Sequence, residues 1–336
     1  MSGVAIVTVG EDEGGMRLDR WFHEHYPALG HGALQKLLRT GQVRVDGGRA
    51  KANQRIESGQ EVRVPPSATA ATQAPDAPER KVHASTSSAD RKLIADLTLY
   101  EDKDILVLNK PAGLAVQGGT KTSRHIDGIL AGMGEGEKRP RLVHRLDRET
   151  SGVLVIARRR SIAAQMGKAF ATRSVRKIYW AVVAGVPHPL QGRISLDLIK
   201  AGGPQGDRVR PARPEEEGEA QRAVTNYAVV DRAADTAAWV SLKPVTGRQH
   251  QLRAHMAAIG TPILGDDKYG GEAFVPAVLT NRLHLHARRV TFRHPRSGES
   301  VDVTAPLPEH MDETFRFFGF EVSAGQAADE AVGEQE

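Results

Sequence analysis

Two stretches near the start of the chain repeat apolar side chains three and four residues apart, as one face of a helix requires. RLDRWFHEHY is the first, with Leu18, Trp21, Phe22 and His25, and HGALQKLLRTG is the second, with Leu34, Leu37 and Leu38. Pro27 follows the first stretch and Gly41 the second, at positions where helices commonly end. The pattern therefore predicts two short amphipathic helices.

A strand pattern comes next. In QVRVDGGRAK the apolar residues Val43 and Val45 alternate with polar ones, and Asp46-Gly47-Gly48 is typical of a tight turn. EVRVPP has the same alternation and predicts a returning strand. Residues 16–66 are therefore predicted to form a small α-α-β domain.

Longer apolar runs follow in the second part of the chain, and most of them have the length of strands. They are ILVLNKP (105–111), VLVIAR (153–158), KIYWAVVAGV (177–186), AVTNYAVV (223–230) and AAWVSLKPV (237–245). SIAAQMGKAFA (161–171) predicts a helix between two of them. Since strands and helices do not alternate regularly, we expect an α+β domain at 93–320 with a mixed, mainly antiparallel sheet.

Three stretches lack an apolar period. Residues 67–92 are rich in Pro, Ala, Ser and Thr, which predicts a flexible linker. Residues 201–222 are interpreted as a surface loop of the second domain, and 321–336 as a disordered acidic tail.

Composition narrows the function classes. The absence of cysteine excludes disulfides, thiolate zinc sites and cysteine nucleophiles, and no apolar run approaches the roughly 20 residues of a membrane span. We expect a cytoplasmic protein that does not bind membranes. The net charge of +5 is small, but residues 16–64 hold nine Lys and Arg against five Asp and Glu. Lys36, Arg39 and Arg44 cluster there and could contact RNA phosphates, or form an ordinary solvated face.

Candidate chemistry is concentrated in LVHRLDRETSGVLVIAR (142–158), where a polar loop leads into an apolar strand. Asp147 lies in this loop between Arg145 and Arg148. Cationic neighbours stabilise a carboxylate, and the edge of a buried strand makes it reactive. From spacing alone, an Asp that only caps a turn fits equally well.

Two other segments carry candidate residues. Tyr179 begins an apolar strand, where it could be a half-buried core residue or a ring that stacks on a base. In TGRQHQLRAHMAAIG, Thr246 is predicted to cap a helix over 248–259 whose first turn holds Arg248. Arg248 could be a surface residue or the partner of a loop carboxylate.

These segments together resemble a known family. HRLDRETSG matches the H-R-L-D-x-x-T-S-G signature of the RluA-type pseudouridine synthases, and the resemblance places the nucleophile on Asp147. It also implies that Arg145 fills the space left by a flipped uridine, that Tyr179 belongs to the K-x-Y element, and that Arg248 pairs with Asp147. Residues 16–66 resemble an S4 RNA-binding domain.

The resemblance implies an isomerase that converts uridine in RNA to pseudouridine. Within the family, the sequence most resembles the RluC-type enzymes, which act on large-subunit ribosomal RNA. Transfer RNA or another RNA is the alternative substrate. The reaction requires no redox cofactor and no metal, and the chain lacks a G-x-x-x-x-G-K nucleotide loop, so we expect no cofactor. We also expect a monomer.

Two other functions compete. A metal-dependent hydrolase could use His284 and His286, or His250 and His255, although no H-E-x-x-H motif accompanies them. A non-catalytic RNA-binding assembly factor would retain the fold but would have no need of Asp147, Tyr179 and Arg248 together.

Overall fold

The computed structural model describes residues 4–10, 13–73, 86–118, 124–134, 136–201, 208–270, 276, 279–325 and 329. The chain forms two compact units, Met1–Ser85 and Thr86–Glu336. Among the described residues, no helix has the length and apolar character that crossing a membrane requires.

The first unit contains the two predicted helices and a small sheet. Its helices are α1 (Leu18–His25), α2 (His31–Arg39) and α3 (Pro66–Gln73). Its strands are β1 (Ala5–Thr8), β2 (Met16–Arg17), β3 (Arg44–Val45), β4 (Gly48–Arg49), β5 (Arg55–Ile56) and β6 (Glu61–Val64). Leu18, Trp21 and Phe22 of α1 and Leu34, Leu37 and Leu38 of α2 are buried in one core, which confirms these positions of the predicted apolar faces. His25 is exposed instead, and its Nε2 lies 2.6 Å from Glu13 Oε1.

The predicted turn between β3 and β4 is present. Asp46 and Gly47 both have positive φ angles, 47° and 75°, which is the backbone of a type I′ hairpin turn. Asp46 also accepts hydrogen bonds from the Gln60 side chain (2.7 Å) and the Glu61 amide (2.8 Å). The predicted start of this domain at residue 16 is too late. β1 precedes residue 16, and it pairs with β6 along its whole length.

The predicted linker, 67–92, is helical at both ends. Proline suits the first position of α3 because its fixed φ is helical and its missing N–H has no partner there. Ala68 of α3 is fully buried in the first core. At the other end, Ser87 caps α4 (Ser88–Leu97) by accepting the amide of Asp90 at 3.0 Å. The prediction of a flexible linker is therefore wrong for 67–73 and 88–92, while 74–85 lie outside the described residues.

The second unit is built around a large sheet. Its further helices are α5 (Ile126–Ala131), α6 (Arg160–Ala171), α7 (Gln251–Ala258) and α8 (Glu309–Phe318). Its strands are β7 (Thr98–Glu101), β8 (Ile105–Lys110), β9 (Arg141–Leu142), β10 (Ser151–Ala157), β11 (Arg176–Ala184), β12 (Gln191–Ala201), β13 (Arg208–Pro211), β14 (Gln221–Ala233), β15 (Ala237–Pro244), β16 (Leu285–Arg293) and β17 (Ser300–Thr304).

The strands pair in the order β13-β12-β14-β15-β11-β16-β10-β8-β7, with β17 beside β16 and β9 beside β10. Among the described strands, the pairing of β10 with β16 is parallel and the others are antiparallel. This architecture confirms the predicted α+β fold with a mixed, mainly antiparallel sheet.

Helices cover both faces of the sheet. Because side chains alternate between the faces of a strand, neighbouring residues of β11 belong to different cores. Trp180 packs with Phe315 of α8, whereas Ala181 belongs to the cluster that contains Met256 of α7. Tyr179 therefore lies on the α7 face, which is the face that carries the candidate site.

Two regions predicted to be irregular contain ordered structure. Within 201–222, β13 extends the edge of the sheet by pairing with β12, so the interpretation as a surface loop is wrong there, while 202–207 lie outside the described residues. In the acidic tail, Asp329 is buried and accepts hydrogen bonds from Trp180 Nε1 (3.0 Å) and Ser241 Oγ (2.7 Å). The prediction of disorder is therefore wrong for 321–325 and Asp329, and the rest of the tail lies outside the described residues.

Candidate active site

The loop that carries Asp147 is fixed at its base by a buried lysine. Lys110, at the end of β8, is fully buried, and its Nζ donates to the carbonyls of Pro111, Leu114 and Arg148, each at 2.9 Å. Three carbonyls match the three donors of an ammonium group, although burial lowers the pKa of Lys110 to about 7. Gly113 also donates its amide to Arg148 O at 2.9 Å. The residue after Asp147 is thus held by two independent contacts.

A close approach of two strands explains the glycine of the T-S-G element. Gly152 has a φ of +107°, and a Cβ placed there would lie 2.2 Å from the carbonyl oxygen of Ala287. No L-amino acid with a side chain fits this position without moving the backbone. Gly152 therefore lets β10 pair with β16 directly after the Asp147 loop.

Tyr179 sits beside an irregularity in the sheet. Ile178 pairs with Arg289 but Tyr179 pairs with Ala287, which leaves Arg288 as an extra residue on β16. Such a bulge bends the strand pair locally and changes the direction of nearby side chains. Burial, with a further contribution from the charge of Asp147, raises the pKa of Tyr179 well above its usual value. Its hydroxyl is therefore neutral at physiological pH.

Among the described residues, two basic side chains lie within 4 Å of the Asp147 carboxylate. Arg253 Nη1 lies 3.7 Å and His250 Nε2 lies 3.8 Å from its Oδ2 atom. Burial lowers the pKa of His250 even though Asp147 acts in the opposite direction, so this ring carries little charge at neutral pH. Arg253 is therefore the permanent positive charge beside the carboxylate.

Arg253 is itself held in place by acidic residues. Its Nε and Nη2 atoms donate to the two oxygens of buried Asp266 at 2.7 and 2.6 Å, and Nη2 reaches Asp267 at 3.0 Å. Its guanidinium lies 5.2 Å from the centre of the Tyr269 ring. The bidentate pair with Asp266 fixes the plane of the guanidinium and leaves Nη1 directed to Asp147.

The predicted ion pair between Arg248 and Asp147 is wrong. Arg248 is exposed, and its Nε donates to the carbonyl of Arg222 at 3.1 Å. The physical reason is where the helix begins. α7 starts at Gln251 after His250, which has a left-handed φ of 49°, so Arg248 lies in the preceding turn and not in the helix.

Thr246 does not cap α7 either. Its hydroxyl donates to Gln251 Oε1 at 2.6 Å and accepts the amide of Val224 at 2.8 Å. Gln251 Nε2 donates in turn to the carbonyl of Val224 at 2.9 Å. This buried network ties the start of α7 to β14 and thereby positions Arg253, which lies two residues further on. Sequence reasoning missed Arg253, although it is the second arginine of the TGRQHQLRAHMAAIG segment.

The candidate residues line one cavity of about 810 Å³. Its walls include Arg145, Asp147, Tyr179, Arg248 and Arg253. The structure thus brings all four predicted residues of the catalytic domain to one cavity and adds Arg253.

The predicted RNA-binding residues of the first unit, Lys36, Arg39 and Arg44, are exposed. Arg44 donates to the carbonyls of Gly41 and Gly47, at 3.2 and 3.1 Å.

The histidines considered for a metal site have other partners. His284 Nε2 lies 2.7 Å from Thr314 Oγ1, and His286 Nδ1 lies 2.9 Å from Ser151 Oγ, both in the protein interior. His255 Nδ1 lies 2.9 Å from Thr225 Oγ1. Within the described part of the chain, no group of three or more His, Asp or Glu residues is arranged to hold a metal ion.

Comparison with known proteins identifies the class to which this fold and cavity belong. A family model described as RNA pseudouridylate synthase matches residues 104–258. The chain belongs to this family, and it is an RNA pseudouridine synthase, an isomerase of uridine in RNA.

Individual relatives extend over almost the whole chain. "Ribosomal large subunit pseudouridine synthase C" of Escherichia coli (strain K12) is 36% identical over 314 residues, covering 92% of this chain and 94% of that protein. The protein of the same name from Pasteurella multocida (strain Pm70) is 34% identical over 313 residues, covering 92% of each. Among solved structures, human RNA pseudouridylate synthase domain containing 4 has a TM-score of 0.56 and 31% identity, covering 70% of this chain and 98% of that chain.

Proposed function

We propose that this enzyme isomerises uridines of large-subunit ribosomal RNA, with Asp147 as the nucleophile. The observation that carries the assignment of the site is the Asp147 carboxylate, placed beside Arg253 in the same cavity as Tyr179. The names of the relatives support the large ribosomal subunit as the substrate. Transfer RNA is the alternative.

The proposed reaction divides into cleavage and rejoining. Asp147 stabilises C1′ as the N1–C1′ bond breaks, either by bonding to it or through its charge, and uracil leaves with the electron pair. One carboxylate suffices because the uracil anion is delocalised over O2 and O4, unlike the sugar alkoxides of glycosidases. The base then turns, C5 bonds to C1′, and the proton lost from C5 is balanced by one gained at N1. No electron acceptor is consumed, so no redox cofactor is needed.

Arg145 and Arg248 are proposed to bind RNA. A uridine must leave its stack to reach Asp147, at a cost of a few kcal/mol in a paired region. Exposed Arg145, two residues before Asp147, can occupy the vacated space and offset part of that cost. Exposed Arg248 at the wall of the cavity is reassigned from a catalytic ion pair to a phosphate contact.

Tyr179 is proposed to stack on the detached uracil and to hydrogen-bond it. Tyr179→Phe should retain RNA affinity within about threefold, because the ring that stacks is unchanged. Its single-turnover rate should fall by about 10²-fold, the lower range for a lost acid–base group. A collapse of affinity with an unchanged rate at saturation would make Tyr179 a binding residue only. Tyr179→Leu, which removes the ring, is the control for stacking.

The first unit is proposed to be an S4-like RNA-binding domain that uses Lys36, Arg39 and Arg44. Removal of residues 1–85 should leave a cooperatively folding catalytic unit with weaker RNA binding. The slope of log affinity against log salt should become shallower by about 2–3 if these three cations contact phosphates. Full-length Lys36→Gln/Arg39→Gln should reproduce most of that change. An unchanged slope in both proteins would remove the RNA-binding role.

The substrate is tested by mapping pseudouridine in vivo. RNA from a deletion strain is labelled with carbodiimide and sequenced, and complementation with the wild-type and Asp147→Asn proteins is compared. We expect sites in large-subunit RNA that return only with the wild-type protein. Sites confined to transfer RNA would overturn the ribosomal assignment. Action as a monomer in the cytoplasm remains part of the proposal.

A further inference from the structure

The cavity extends beyond Asp147 and Tyr179 to a second region, formed by His144, Phe170, Arg173 and Lys177 and here called the lysine end. A volume of about 810 Å³ lies toward the top of the range of pockets that hold whole drug-sized ligands. A single uracil ring is smaller than such a ligand. The lysine end therefore has room for a further part of the substrate.

Lys177 is unusual for a half-buried cation. Its Nζ lies 5.9 Å from the centre of the Phe170 ring, and no hydrogen bond or carboxylate partner of this ammonium lies within the described part of the chain. Burial lowers the pKa of Lys177, and no acidic group of the described residues opposes this shift. Charged groups removed from water are normally paired. An anion from outside the protein would supply the missing partner.

The position of Lys177 along its strand relates it to the reacting base. Lys177 and Tyr179 are two residues apart on β11, so they lie on the same face of the sheet and roughly 7 Å apart along the strand. A nucleotide whose base stacks on Tyr179 carries its backbone within reach of Lys177. Arg173, with a left-handed φ of 63°, adds a second cation to this part of the wall.

The rings beside Lys177 add a further hydrogen-bond donor to the lysine end. The His144 and Phe170 rings stack at a centroid distance of 4.5 Å and an angle of 17°. Burial, together with the charge of Lys177, lowers the pKa of His144 to about 3, so its ring is neutral. Since His144 Nε2 accepts the amide of Val155 at 2.8 Å, the proton of the neutral ring resides on Nδ1. The lysine end thus offers one ammonium, one guanidinium and one N–H, and its charge is positive.

We propose that the lysine end is a phosphate subsite for the nucleotide next to the target uridine, with Lys177 as its main contact and Arg173 as a second. The proposal rests on the RNA substrate proposed above. Lys177 is thereby a binding residue that helps to place the uridine over Asp147. Its charge contributes little to stability, because it has no carboxylate partner within the described part of the chain.

The test compares Lys177→Met with Lys168→Met, which removes an exposed lysine of α6 that does not line the cavity. Binding to a large-subunit RNA transcript and to transfer RNA is measured from 50 to 200 mM salt. Losing one phosphate contact should make the salt slope shallower by about 0.7–1, which changes relative affinity about 3- to 4-fold over this range. KM should rise with little change in kcat, and the thermal midpoint should stay equal or increase. Lys168→Met should behave as the wild type, and Lys177→Arg should restore most of the slope.

A synthetic RNA with one uncharged methylphosphonate linkage beside the target uridine locates the contact. On one side of the uridine, the neutral linkage should weaken binding of the wild type and have no further effect on Lys177→Met. Three outcomes would overturn the subsite. The first is an unchanged salt slope, and the second is a neutral linkage that, on either side of the uridine, weakens Lys177→Met as much as the wild type. The third is a lowered thermal midpoint that Lys177→Arg restores. If only transfer RNA is converted, the ribosomal substrate fails, and the slope on transfer RNA still decides the role of Lys177.

Discussion

Asp147→Asn should abolish pseudouridine formation while the protein remains folded and binds RNA. The substitution is nearly isosteric, and it removes the charge and nucleophilicity that the proposed bond cleavage requires. Asp147 is partly exposed, its loop is fixed through Lys110 and Arg148, and these contacts do not involve its carboxylate. We expect a loss of at least about 10³-fold in single-turnover rate, equivalent to about 4 kcal/mol of transition-state stabilisation.

Two measurements accompany the rate. Thermal unfolding should shift little, since the amide retains the shape of the side chain, and RNA affinity should stay within a few-fold of the wild type. Glu149→Gln, which neutralises a carboxylate on the same loop, is the matched control and should remain active. Turnover by Asp147→Asn within about tenfold of the wild type would mean that another group performs the chemistry.

Arg253→Ala should damage both stability and catalysis. Arg253 is buried, and it is hydrogen-bonded through two nitrogens to Asp266, whose side chain is 0% exposed. Removing one member of a buried pair strands the other charge and costs about 3–5 kcal/mol. Arg253→Lys should be more stable than Arg253→Ala because it recovers the charge. It should remain less stable than the wild type because it lacks the bidentate geometry. In Arg253→Ala the Asp147 carboxylate also loses its charged neighbour. A misplacement of this carboxylate by about 1 Å would slow the reaction by about 10²-fold.

A double-mutant cycle distinguishes loss of the Arg253–Asp266 ion pair from general damage to the core. Arg253→Ala/Asp266→Ala should lose less stability than the sum of the single variants, because the stranded carboxylate is gone. Arg248→Ala, the exposed arginine of the same motif, is the control and should change unfolding free energy by less than about 1 kcal/mol. Additive losses in the cycle, or an Arg248→Ala variant as unstable as Arg253→Ala, would contradict the assigned pairing.

Burial explains why His255 and His286 do not supply a positive charge to the cavity. Burial lowers the pKa of His255 to about 4 and that of His286 to about 3, and both rings hydrogen-bond hydroxyl groups of the interior. They are therefore neutral at physiological pH. His255 links α7 to β14, and His286 links β16 to β10. The charge that Asp147 meets comes from Arg253, whose pKa stays high although burial opposes it, because of its hydrogen bonds to Asp266.

The sequence by itself determined the local elements and the loop that carries Asp147. Helical and strand periods placed α1, α2, α6 and the main strands of the sheet, because each pattern depends on residues close together in the chain. The family signature placed Asp147 and Tyr179 for the same reason, since each motif lies within one loop or one strand. The turn at Asp46 and Gly47 was likewise readable from a few residues.

Only the tertiary structure decided which arginine meets Asp147 and where the irregular segments pack. The left-handed His250 and the network of Thr246 with Gln251 and Val224 delay the start of α7, so that Arg253 points to the carboxylate in place of Arg248. Burial of Asp329 and the addition of β13 to the sheet depend in the same way on partners distant in the chain. Such contacts are selected by the packing of the whole unit, which local periods do not encode.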